Sequence, residues 1–156
     1  ACAERVVAAA GDWRVHVVCD DPDVMAWARS LGCAVVRPDV TGLNAAVDAG
    51  RHAASNDGAE HIVVAHSDLP LVRTFTHVVA PGIVTLVADR HGDGTNVVSM
   101  PATSPFRTSY GPGSFLLHRR HLEESGLDYR CLDDAELALD LDTADDLKEL
   151  NSRSAT

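Results

Sequence analysis

The sequence predicts a three-layer α/β domain, a mainly parallel sheet between two layers of helix. Short apolar runs rich in β-branched residues (34–36, 62–65, 83–88, 96–100) alternate with segments of helical spacing, the pattern of strands joined by helical crossovers. The run 62–65 (Ile-Val-Val-Ala) is too short for a buried helix and apolar throughout, as a central strand covered on both faces is. It delivers Asp68 and then Pro70, whose missing N–H disfavours further ladder pairing. The 156 residues suit one domain, 1–156, with a substantial core.

In chain order, residues 1–10 have helical composition and stop at Gly11, so the sequence opens within a helix. Residues 14–19 read as a strand that turns at Asp20-Asp21-Pro22. Residues 23–31 put Val24, Trp27, Ala28 and Leu31 on one helical face, and Gly32 ends them. After the strand 34–36 and a loop from Pro38 to Gly42, residues 43–55 form a helix of small residues closed by Asn56-Asp57-Gly58. A short helix is expected over 71–80, then strands over 83–88 and 96–100. Tyr110-Gly-Pro-Gly-Ser-Phe115 opens a helix that runs to Glu124, followed by strands over 129–132 and 137–141. The closing helix, 143–150, is capped near Asp142 or Thr143, with residues 152–156 as a frayed tail. The loop-rich second half suggests an insertion or a mixed-sheet edge.

The net charge is −10 and no Lys/Arg cluster is present, which argues against a nucleic-acid partner. No run of about 18 apolar residues occurs, which argues against a membrane helix, and no secretory leader is evident. Cys2, Cys19, Cys33 and Cys131 lack C-x-x-C spacing and fit reduced thiols of a cytoplasmic protein, with Cys19 and Cys33 packed as small apolar groups. Disulfide pairing stays open, as does homo-oligomerisation.

Three constellations carry chemistry. Asp68, Asp140 and Asp142 each follow an apolar run, so strand ends could gather them at one sheet edge. Hard oxygen ligands of that kind suit Mg²⁺. Asp68 alone also suits a turn, and Asp142 also suits a helix cap. The loops Gly92-Asp-Gly-Thr-Asn96 and Gly111-Pro-Gly-Ser114 let backbone N–H groups approach an anion, with Ser114 in the first turn of a helix. Two ordinary tight turns would read the same. Asn44, in Thr41-Gly-Leu-Asn44, could meet a base edge, but capping its helix is the better fit. His118 and His121 flank Arg119 and Arg120, which suggests a solvated surface, and His66 stands beside Asp68. No G-x-S-x-G elbow occurs, and Val97 stands where a dinucleotide fingerprint needs its third glycine.

In this order, D-L-P-L from Asp68, D-R-H-G-D-G-T-N from Asp89, Y-G-P-G-S-F from Tyr110 and D-L-D-T-A-D-D-L from Asp140 resemble one family. These are the guanylyltransferases that activate 2-phospho-L-lactate or phosphoenolpyruvate for coenzyme F-420 biosynthesis (the CofC/FbiD family). The likeness runs from Ala3 to Leu150 and implies a three-layer α/β/α nucleotide-diphospho-sugar-transferase-like fold. It implies GMP transfer from GTP to a phosphorylated three-carbon acid, with release of pyrophosphate. Asp68 and Asp142 match the catalytic, Mg²⁺-binding carboxylates, with Asp140 as a helper at the metal. Thr95, Gly111 and Ser114 match the acid-holding positions, and Gly42 and Asn44 the segment near the guanine nucleotide. The residues do not choose among 2-phospholactate, phosphoenolpyruvate and 3-phosphoglycerate.

Relatives open with a strand and a basic loop that grips the triphosphate, and this sequence begins after that element. The resemblance therefore implies a sheet without one central strand, and a stretch that made alone is poorly soluble or inactive. Otherwise Arg90, Arg107 or another internal cation must serve. Two other classes compete. One is a non-catalytic nucleotide-binding or subunit-interaction domain. The other is a phosphatase, since Asp140-Leu-Asp142-Thr143 resembles the haloacid-dehalogenase nucleophile motif but has Ala144 where that motif needs Thr or Val.

Overall fold

The computed structural model describes residues 2–154. The expectations for residue 1 and for 155–156 lie outside the described residues. The elements are α1 (Cys2–Ala9), β1 (His16–Val18), α2 (Pro22–Ser30), β2 (Ala34–Val36), α3 (Leu43–Asn56), β3 (His61–Ala65), β4 (Val84–Ala88), β5 (Thr95–Pro101), α4 (Ser114–Glu124), β6 (Tyr129–Cys131) and α5 (Ala144–Ser154). Strands and helices lie within a residue or two of their sequence-based bounds, with three exceptions. Two are described below, and the third is α5, which continues to Ser154, four residues past its expected end, so that 152–154 are helical where a frayed tail was expected.

The strands form two sheets. One is the parallel pair β1–β2; the other has four strands in the order β3-β5-β4-β6. Within the larger sheet β5 runs antiparallel to both neighbours while β6 runs parallel to β4. Thus β3, β4 and β6 share a direction and β5 alone is reversed, which is where the loop-rich second half departs from simple crossover topology. Alternation along these strands feeds two cores. Val87 and Val97 face one side with Leu69, Val72, Phe75 and Val78, against which Val6 of α1 packs. Leu86, Val98 and Met100 face the other with Phe106 and Leu122, the latter from α4. Each such buried side chain stabilises the fold by about 1.5–3 kcal/mol relative to exposure.

β3 differs from the central parallel strand its composition suggests. Its one partner is β5, antiparallel, and its other edge faces β1 across a cleft of about 840 Å³. The cleft is lined by Val15 and Val17 on one side and Ile62 and Val64 on the other, with α3 spanning it.

Over 71–80 only Thr76–Val78 is helical, as one 3₁₀ turn. Leu69, Val72, Phe75 and Val78 are buried at every third position, so a packed loop mimics helical spacing. The expected strand 137–141 does not form. Asp134 Oδ1 accepts from the backbone N–H groups of Glu136 and Leu137 at 2.9 and 3.0 Å, and the Ala138 N–H donates to the Asp134 carbonyl. This Asx turn takes the donors a ladder needs, although Leu137 and Leu139 are buried as a strand would bury them. The four cysteines are free thiols, and Cys19 and Cys33 are half-buried with pKa raised by burial. No described helix is long and apolar enough to cross a membrane.

Candidate active site

The carboxylates lie toward one edge, near enough for the charges of Asp68 and Asp142 to act on Asp140. Past Ala65 the His66 N–H still donates to the Asn96 carbonyl (3.1 Å), and the chain then turns out of the sheet at Ser67-Asp68. The Leu141 N–H donates to the Asp68 carbonyl at 3.2 Å, which ties the 140–142 segment to the end of β3. Asp140 is 9% exposed, and its pKa is raised first by burial and further by the charges of Asp142, Asp68 and Asp89. Asp68 Oδ1 is buried without a hydrogen-bond partner. Asp142 is exposed and does not cap α5. That role falls to Thr143 and Asp146: the Asp146 N–H donates to Thr143 Oγ1 (3.3 Å), and Thr143 N–H and Oγ1 both donate to Asp146 Oδ2 (2.7 Å each). Among the described residues no three acidic, His or Cys side chains close into a preformed metal cage. An unpartnered buried carboxylate oxygen beside a carboxylate destabilised by like charge is nonetheless a donor set that fits a hydrated Mg²⁺.

The two glycine loops are stitched together. Asp89 accepts from the N–H groups of His91, Asp93 and Gly94 at 2.7 to 3.0 Å, winding the first loop around its carboxylate. Asp93 accepts from the Gly113 N–H at its Oδ2 (3.0 Å) and from the Phe115 N–H at its carbonyl (3.0 Å), joining that loop to the start of α4. Gly111 and Gly113 have φ of 141° and 70°, a backbone course that other residues rarely take.

Thr95, Gly111 and Ser114 converge as the sequence suggests. Ser114 N–H donates to the Gly111 carbonyl (3.1 Å), and Ser114 Oγ donates to Thr95 Oγ1 (3.2 Å). Both hydroxyls are buried, Thr95 at 1% and Ser114 at 2% exposure. His118 completes the group, its Nδ1 3.0 Å from Thr95 Oγ1 and its Nε2 accepting from the Ser109 N–H at 2.7 Å. The solvated surface expected for His118 is therefore wrong. It stands one turn after Ser114 and one before Leu122, on the buried stripe of α4, while Arg120 faces water. Burial, with His121 adding, lowers its pKa to about 4, so the ring is neutral.

On the other side of the cleft, Gly42 is the N-cap of α3 with φ 111°, and no side chain caps this helix. Asn44 does not cap it, contrary to expectation. Its amide donates to the Tyr110 carbonyl (3.1 Å) and accepts from the Tyr110 N–H (2.7 Å), fastening α3 to the second glycine loop. Three groups absent from the sequence-derived site list lie nearby, all with buried polar atoms lacking partners: His66 Nε2, Tyr110 OH and Arg51 Nε. Tyr110 stacks 5.5 Å from His66 and edge-on to His118 at 5.2 Å, and Arg51 donates to the carbonyls of Phe106 and Ser104. Proximity of His66 to Asp68 and of Tyr110 to Gly111 was the one available signal for them. Of the internal cations, Arg90 is held by Asp146 at 2.6 Å, and Arg107 is largely exposed, 4.0 Å from Asp48.

The chain is similar to known proteins. The family described as "Guanylyl transferase CofC like" matches residues 3–153. The phosphoenolpyruvate guanylyltransferase of Rubrobacter xylanophilus is 36% identical over 159 residues, covering 95% of this chain and 77% of that protein. The 2-phospho-L-lactate guanylyltransferase of Halorubrum lacusprofundi is 38% identical over 120 residues, covering 73% of this chain and 52% of that one. A crystal structure from Desulfovibrio desulfuricans G20, assigned as a nucleotide-diphospho-sugar transferase, superposes with a TM-score of 0.64 at 11% identity, over 84% of this chain and 64% of that one.

Proposed function

This chain belongs to the CofC-like guanylyl transferase family, and we propose that it transfers GMP from GTP to phosphoenolpyruvate or 2-phospho-L-lactate in the cytoplasm, for coenzyme F-420 biosynthesis. The observation that carries this is the juxtaposition of the Asp68–Asp140–Asp142 edge with the joined Thr95 and Ser114 loops, through the ends of β3 and β5.

Asp68 and Asp142 would hold Mg²⁺, with Asp140 close enough to help. The ion, when bound, supplies charge neutralisation for the triphosphate. The residues of the chain do the rest. Thr95, Gly111 and Ser114 hold the phosphorylated acid, and Gly42 with Asn44 borders the nucleotide. A phosphate oxygen of the acid attacks the α-phosphorus of GTP. The new P–O bond forms as the bond to the β-phosphate oxygen breaks, and the electron pair leaves with pyrophosphate. The step needs positioning and fixed charge rather than a protein nucleophile.

The test is pyrophosphate release from GTP with each acid, in Mg²⁺, using the full gene product. Asp142→Asn, which leaves the Thr143–Asp146 cap intact, is expected to lower turnover at least 100-fold, on the order of what one essential electrostatic contact contributes. Nucleotide binding by calorimetry without turnover in the unaltered protein would favour the non-catalytic domain instead.

A further inference from the structure

The buried trio His118, Thr95 and Ser114 has one proton more than it can use internally. The Ser109 backbone N–H can only donate, and it points at His118 Nε2 from 2.7 Å, so that nitrogen must be bare. The neutral ring then carries its proton on Nδ1, which donates to Thr95 Oγ1 at 3.0 Å. With the Thr95 and Ser114 hydroxyls, the trio holds three protons, and two are consumed in the internal bonds His118–Thr95 and Thr95–Ser114. As arranged, Ser114 donates to Thr95, which leaves the Thr95 proton unspent. Among the described residues Thr95 Oγ1 has no third partner. If the Thr95–Ser114 bond reverses, the spare proton moves to Ser114, and the count does not change. With the opposite imidazole tautomer, Nδ1 would accept from Thr95 and no proton would remain.

We propose that His118 is the positioning residue of the acid pocket: its Nδ1–H tautomer, set by the Ser109 N–H, obliges the Thr95–Ser114 hydroxyl pair to present a donor. The pocket then selects an acceptor oxygen of phosphate or carboxylate over a ligand hydroxyl that must donate. This rests on the assignment of Thr95, Gly111 and Ser114 to the phosphorylated acid. His118 also anchors the loop before Tyr110 through the same Ser109 bond, so the tautomer and the loop position are set together.

Two measurements on the full gene product test this. Long-range ¹H–¹⁵N correlation on histidine-labelled protein reads which ring nitrogen is protonated, with the His118 signal assigned by its loss in His118→Asn. The expected result is a protonated Nδ1 and a bare Nε2 at neutral pH; an Nε2–H or doubly protonated ring overturns the proposal. The second is calorimetric titration with phosphoenolpyruvate, 2-phospho-L-lactate and GTP in Mg²⁺. His118→Leu should weaken the acid about tenfold or more while GTP stays within about twofold, the scale of one hydrogen bond to a charged group. His118→Asn, whose amide N–H can stand near the place of Nδ1–H, should recover most of the loss. Equal weakening of acid and GTP, or no recovery in His118→Asn, overturns it. Thr95→Val and Ser114→Ala separate the two levels. If they weaken the acid and His118→Leu does not, the role of His118 fails alone. If they too leave the acid unaffected, the assignment of the pocket fails.

Discussion

In the larger sheet, β5 is buried along six consecutive residues and β4 along four, with most side chains at 0–2% exposure. In the smaller sheet every residue of β1 and β2 is only half-buried, and the cleft opens along β1. The two halves are joined by α3, by the bonds of Arg51 to the carbonyls of Ser104 and Phe106, and by the Asn44–Tyr110 pair. Among the groups assigned to the acid and the metal, Thr95 opens β5 and Asp68 follows β3, in the sheet where side-chain positions are fixed by close packing. The segment assigned to the nucleotide hangs on the looser half. Rigidity is thus concentrated where oxygen atoms must be placed to within a fraction of an ångström.

The contrast can be tested by truncation. Leu86→Ala in β4 should lower unfolding free energy by about 2–5 kcal/mol, and Val17→Ala in β1 by only about 1 kcal/mol, as measured by urea titration. Equal costs would dissolve the distinction between the halves. Next in size is the bridge. Asn44→Ala removes two hydrogen bonds at an exposed site and should cost about 1 kcal/mol, raising the KM for acid and nucleotide together because it frees the Tyr110 loop from α3. A change confined to the nucleotide would instead mark Asn44 as a direct base contact.

The smallest effect shows only in acid. The Thr143 bonds, then the Arg90 ion pair, hold Asp146 down to about 2, below its ordinary 3.8. A lowered carboxylate contributes stability that is complete above 3.8 and drains away as pH falls through about 2. Asp146→Asn should therefore flatten the stability profile between roughly pH 4 and 2 and leave its neutral-pH shape unchanged. Persistent steepness there would assign acid sensitivity to another carboxylate, such as Asp134, whose pKa is also lowered.

Most of this architecture is legible in the sequence because local signals dominate it. β-branched runs, glycine stops and the Tyr110-Gly-Pro-Gly-Ser-Phe115 opening each specify their own element, and the helix it opens ends at Glu124 as the sequence suggests. The misses differ in cause. At 71–80 a loop buries every third residue against tertiary partners that a window of residues does not contain. At 137–141 the competitor is local: the carboxylate of Asp134, two and three residues upstream, takes the backbone donors of Glu136 and Leu137, a turn that the apolar run masked. In the site, Asp68 was legible from its strand end and the meeting of Thr95 with Ser114 from the two glycine loops, whereas the strand expected to deliver Asp140 and Asp142 does not form. The burial of His118 was not legible, because the two arginines that follow it mask a buried stripe that runs from Ser114 to Leu122. Nor was the pairing of Asn44 with Tyr110, a contact between residues 66 apart in sequence.

The first glycine loop carries a constraint on how such a chain can diverge. A Cβ at Gly94 would lie 2.8 Å from Asp89 Oδ2, and that oxygen cannot swing aside cheaply because it is already bonded to the Gly94 N–H. Positions 89 and 94 are therefore inherited as a pair. A lineage can replace the glycine only after giving up the aspartate, and the intermediate without Asp89 loses the turns that aim Asp93 at Gly113 and Thr95 at Ser114. The side chains of Ser109 and Pro112 are exposed and carry no such coupling, so change at those positions leaves the loop beneath as it is.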